Sequence, residues 1–87
     1  MKDVKLFYLK NCPFCKKAIS YIESLKAQHK ELAQVEIEMI EESEQKELAD
    51  SFDYYYVPTF YVAGEKVHEG GIYPEEVEEI LRKALEK

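Results

Sequence analysis

The 87-residue sequence predicts an α/β fold: a four-stranded mixed sheet with three helices covering both faces. Three features carry this reading. The apolar spacing switches between strand and helix periods in the order β-α-β-α-β-β-α. The first two strands are joined by a helical stretch long enough for a right-handed parallel crossover. The third and fourth strands are separated only by Ala63-Gly64-Glu65, a hairpin turn. A chain of this length holds one core, so 1–87 reads as a single domain.

Val4-Lys5-Leu6-Phe7-Tyr8-Leu9 is rich in strand formers, and its run from Leu6 to Leu9 fits a central strand buried on both faces. Lys10-Asn11 breaks it. From Pro13 the spacing becomes helical. Phe14, Ala18, Ile22 and Leu25 form a stripe that Ile19 and Tyr21 widen, and the helix is expected to reach about His29. Val35-Glu36-Ile37-Glu38-Met39-Ile40 alternates apolar and polar, as a strand with one wetter face does. Ser43 suits a helix cap, with Glu44 and Gln45 in the first turn and Leu48, Ala49 and Phe52 as its short apolar face. Thr59-Phe60-Tyr61-Val62 and Lys66-Val67-His68-Glu69 form the hairpin, and Gly70-Gly71 ends it. Pro74 fits the first position of a last helix. Glu75 and Glu76 lie at the positive end of its dipole, and Val77, Ile80, Leu81, Ala84 and Leu85 form its buried face.

Composition removes several function classes. Apolar residues make up 46% and charged residues 34%, the balance of a globular chain rather than a disordered one. The net charge of −6 argues against nucleic-acid binding, which needs a basic stripe. No apolar run approaches the roughly 20 residues of a membrane helix, and the N-terminus lacks the apolar stretch of a signal peptide. A cytoplasmic monomer is expected.

The only two cysteines stand in Cys12-Pro13-Phe14-Cys15. As a staple this pair closes a loop of about four residues, worth about 2 kcal/mol. As a zinc site it needs two more ligands, and His29 and His68 lack finger-type spacing. Redox chemistry accounts for it best. Thiol–disulfide exchange needs a thiolate, and a free cysteine, near 8.5, is ionised only to about a few per cent at pH 7. Pro13 lacks an N–H and suits the first helical position, which makes Cys12 the cap residue. A cap sulfur accepts hydrogen bonds from backbone N–H groups, here those of Phe14 and Cys15, and thiolate accepts them better than thiol. Helix N-termini bring cysteines down to roughly 3.5–7.5. Lys10, Lys16 and Lys17 lie close, and the segment 10–17 holds no acid. Cys15 falls one turn later on the same face, within bonding reach but deeper. Cys12 is therefore the expected attacking thiol and Cys15 the resolving one.

At this point the sequence resembles the glutaredoxins, within the thioredoxin-fold superfamily. The resemblance rests on Cys-Pro-Phe-Cys at 12–15, Val57-Pro58-Thr59 before the third strand and Gly70-Gly71 before the last helix, and it covers almost the whole chain. It implies strand order 2-1-3-4. It also implies a cis bond at Pro58, beside Cys12, with the backbone of Val57 pairing to a bound peptide or glutathione. Lys10, Phe14, Gly70 and Gly71 join these as implied substrate-binding positions. The implied activity is reduction of protein disulfides or glutathione mixed disulfides. It needs no tightly bound cofactor, and it takes glutathione as co-substrate or thioredoxin reductase as the alternative electron donor. An iron–sulfur carrier, with Cys12 from two subunits and glutathione holding a cluster, is the alternative class; Pro13 stiffens the loop against it.

Two positions depart from the family pattern. The lysine that usually stands three residues before the first cysteine is here Lys10, two before. Ile72-Tyr73-Pro74 replaces the small and acidic residues that usually follow the double glycine, so the amino end of glutathione loses its expected carboxylate. Tyr54-Tyr55-Tyr56 has two readings, an aromatic docking rim or half-buried loop packing, of which packing is commoner. His29 and His68 are expected to be solvated.

Overall fold

The computed structural model describes residues 1–86. Strand β1 is Val4–Tyr8, and helix α1 (Pro13–Gln28) follows it. A single-turn helix α2 (Lys30–Ala33) leads to strand β2 (Ile37–Glu41), and helix α3 (Lys46–Asp50) comes next. Strands β3 (Thr59–Val62) and β4 (Glu65–Glu69) form the hairpin, and helix α4 (Pro74–Leu85) closes the described chain. The sheet order is β2-β1-β3-β4. β1 runs parallel to β2 with Val4 opposite Ile37, and antiparallel to β3 with Phe7 opposite Thr59. This is the mixed sheet and order expected for a thioredoxin fold.

Strand alternation divides the core between the two faces. Leu6 and Val4 of β1, with Phe60 and Val62 of β3, meet Ala18, Ile22 and Leu25 of α1 and Val77, Ile80, Leu81 and Ala84 of α4. On the other face Phe7 and Tyr61 meet Ile40 and Ala49. Phe52 and Tyr54 complete that face, with their rings 4.8 and 4.9 Å from Phe7. The central strand is thus buried on both sides, as its continuous apolar run requires.

Three expectations are corrected. The described residues form four helices rather than three. α1 ends because His29 is extended (φ −128°, ψ 110°); its N–H still closes on Leu25 O at 2.9 Å, and the chain then re-enters a helical turn that buries Leu32. β2 begins at Ile37 rather than Val35, because the Val35 N–H is committed to Leu32 O (3.1 Å). As an edge strand β2 leaves Met39 exposed and buries Ile40 and Glu41, which breaks the simple alternation. Ser43 does not cap a helix. Its N–H and hydroxyl both donate to Glu41 at 2.6 Å, and α3 starts only at Lys46, without a side-chain cap.

Candidate active site

The two sulfurs sit where β1 gives way to α1. The Cys12 N–H donates to Leu9 O (3.1 Å), which turns the chain, and Cys12 itself is extended (φ −91°, ψ 118°). Pro13 then opens the helix. The Cys12 carbonyl accepts from Lys16 N–H at 3.0 Å, and the Cys12 sulfur accepts from Cys15 N–H at 3.3 Å. Of the two amides expected to face that sulfur, only that of Cys15 does so. Both cysteines are free thiols. Cys12 is partly exposed, whereas Cys15 has no exposed surface. Burial pushes the Cys15 thiol up to about 12, and its hydrogen bond with Cys12 adds to this. The fold therefore gives two residues of one type different surroundings within a single helical turn.

The loop before Cys12 is held from below. Glu41, at the end of β2, is 4% exposed. Its carboxylate accepts from the Lys10 N–H at 2.9 Å, from the Ser43 N–H and hydroxyl, and from the Glu44 N–H at 3.3 Å. The Ser43 hydroxyl, followed by these backbone donors, holds its carboxyl down to about 2. Glu41 shares a cavity of about 310 Å³ with Leu9, Lys10, Asn11, Cys12 and Ser43. The segment 10–17 carries no acid of its own, but the fold brings two acids to it: Lys10 Nζ lies 3.0 Å from Glu44. Both partners are exposed, so this ion pair adds little and can open to an incoming anion.

A second groove, of about 360 Å³, runs beside the helix start between Phe14, Lys17 and Tyr21 on one side and Gly71, Ile72 and Tyr73 on the other. Phe14 is 58% exposed and Lys17 Nζ lies 5.9 Å from its ring centre. Gly71 faces that ring, and a Cβ there would sit in ordinary contact with it, 3.5 Å from Phe14 Cδ1. Of the sequence-expected residues, Phe14 and Gly71 thus meet across one groove and Lys10 and Cys12 across another.

Val57-Pro58 is a cis peptide. Pro58 is buried and stands one residue beyond the Phe7–Thr59 pair, at the end of β1 that leads to Cys12. Its carbonyl accepts from the Gly70 N–H at 2.8 Å, which joins the proline to the double glycine. Gly70 has φ +91°, a conformation that favours glycine. Glu69 braces the preceding loop by accepting from the Tyr55 and Tyr56 amides while pairing with Lys66 at 2.7 Å. That ion pair, and then the two amides, hold the Glu69 carboxyl at about 2. The tyrosine run divides. Tyr54 packs on Phe7 and donates to Glu42 at 2.7 Å, while Tyr55 and Tyr56 are 86% and 70% exposed.

The family model described as Glutaredoxin matches residues 4–67. The chain belongs to the glutaredoxin family. The match takes in the dithiol and the cis-proline and stops short of Gly70-Gly71. Among solved structures, the chain is similar to a thioredoxin of Malassezia sympodialis (TM-score 0.74, 20% identity, 95% of this chain and 74% of that one). It is also similar to the germline-specific thioredoxin Deadhead of Drosophila melanogaster (TM-score 0.69, 19% identity, 94% and 79%). At those identities the likeness shows the thioredoxin fold. No curated protein gives a significant match. Family and fold together support thiol–disulfide oxidoreductase-type function.

Sequence reasoning missed Glu41 and Glu69. Each is an acid in an acidic chain, and only the strand ends, invisible in composition, turn them toward backbone donors.

Proposed function

We propose that this glutaredoxin-family chain is a dithiol reductant of protein disulfides and glutathione mixed disulfides. Cys12 is the nucleophile and Cys15 the resolving thiol. The observation that carries this is the unequal burial of two sulfurs one turn apart, with the Cys15 amide donating to Cys12. As the Cys12 thiolate attacks, a Cys12–substrate disulfide forms and one substrate thiolate leaves. Cys15 then loses its proton and attacks the Cys12 sulfur. The second substrate thiolate leaves, and the protein is left with a Cys12–Cys15 disulfide. Two electrons have passed to the substrate, and a separate donor must return them.

The backbone of Val57 supports the substrate reading. It lies outside the sheet ladders and makes no hydrogen bond among the described residues, so it is free to pair with an extended peptide. The electron donor is glutathione or thioredoxin reductase; no tightly bound cofactor is needed, because the two thiols carry both electrons. Monomeric action in a reducing compartment such as the cytoplasm fits this chemistry.

The test uses single variants with a disulfide-linked peptide. Cys15→Ser retains attack and accumulates a mixed disulfide at Cys12, while Cys12→Ser loses turnover. Equal activity of the two variants overturns the assignment of roles.

A further inference from the structure

The Gly71–Tyr73 side of the Phe14 groove has no regular structure of its own, yet both of its ends are gripped. His68 Nε2 lies 2.7 Å from Gly71 O. A carbonyl only accepts, so Nε2 carries the hydrogen and donates. The Tyr73 N–H donates to Glu76 Oε1 at 3.0 Å, and Glu76 Oε2 lies 3.6 Å from His68 Nδ1. One side chain from β4 and one from α4 thus hold the first and last residues of the wall and meet each other behind it. Between them Ile72 packs on the main core.

The strand is built to allow this. Tyr61 pairs with Lys66 and Phe60 with His68, so Val67 is an extra residue in β4. Such a bulge re-aims the side chains around it. Here Val67 packs against the α1–α4 core while His68, opposite Phe60, also turns toward α4. Plain alternation would place these neighbours on opposite faces. His68 is only 20% exposed, against the solvated position its edge strand suggested.

We infer that His68 and Glu76 are positioning residues that fix the Gly71–Tyr73 wall at the spacing from Phe14 needed to seat the residue flanking the substrate's attacked sulfur. Neither touches the reacting atoms. The inference rests on the disulfide-exchange reading above. It predicts that loosening the wall weakens substrate engagement and leaves the chemical step at Cys12 alone, which is a KM effect.

Two measurements test it. Imidazole nitrogen shifts of the native protein, labelled with ¹⁵N, should show a hydrogen on His68 Nε2; a ring protonated only at Nδ1 overturns the inference, whatever the activity. In turnover of a disulfide-linked peptide with dithiothreitol as donor, His68→Ala should raise KM roughly three- to tenfold, the scale of one lost hydrogen bond. Its kcat should stay within about twofold. His68→Gln, whose amide can donate to Gly71 O, should recover most of the KM. An unchanged KM in His68→Ala, a fall in kcat alone, or a failure of glutamine to rescue overturns it. Absence of any turnover by the native protein instead overturns the disulfide-exchange reading, and the nitrogen shifts still decide whether His68 grips the wall.

Discussion

The Lys10 amide donates to the Glu41 carboxylate at 2.9 Å, tying the loop before Cys12 to the edge strand that neighbours β1. The same carboxylate holds the turn after β2 through Ser43 and Glu44. One side chain therefore joins two loops that are distant in sequence and adjacent at the site.

Acid should release this tie. Glu41 and Glu69 are both held at about 2, below the ordinary carboxylate value of 4.5. A carboxyl depressed on folding contributes stability that is fully present above its unfolded value and is lost as pH falls toward its folded one. The urea midpoint should be flat from neutrality to about pH 5 and decline between 4.5 and about 2. Glu41→Gln and Glu69→Gln should each be less stable at pH 7 and show a shallower acid decline. An unchanged acid limb in both variants contradicts the assignment.

The double glycine should respond asymmetrically to added methyl groups. Gly70 has φ +91°, so Gly70→Ala should cost about 1–2 kcal/mol in chemical denaturation. An added Cβ at Gly71 meets Phe14 at ordinary contact distance, so Gly71→Ala should be nearly neutral for folding. Larger residues at Gly71 should narrow the groove and raise KM. Equal destabilisation by the two alanines contradicts this.

Phe7 anchors the smaller core face, with rings of Phe52, Tyr54 and Tyr61 between 4.8 and 5.7 Å away. Phe7→Ala should cost about 3–5 kcal/mol. That is a large share of the roughly 5–15 kcal/mol that holds a domain of this size together, and thermal unfolding measures it directly.

What could be read from the sequence follows the range of the forces involved. Pro13 at the first helical position and the α4 stripe are local, and they stand as expected; the β3–β4 hairpin forms too, with Glu65 drawn from the expected turn into β4. The reading failed where a distant partner decides the outcome. Ser43 reads as a cap until Glu41 claims its donors, and the end of α1 reads as continuous until His29 turns extended and Leu32 finds the core. At the site, the two cysteines are plain in the chain. The grips of Glu41, Glu69 and His68 on backbone amides and carbonyls depend on strand ends and on a bulge, neither of which leaves a mark in composition.

We propose that one turn of helix makes Cys12 reactive and Cys15 inert in the reduced protein. Brief iodoacetamide treatment of the native, reduced chain at pH 6–7, followed by mass mapping, tests it directly. Cys12 should be modified rapidly, far faster than a free cysteine, with Cys15 unmodified until the chain unfolds. Equal labelling of the two, or a Cys12 no faster than free cysteine, contradicts it.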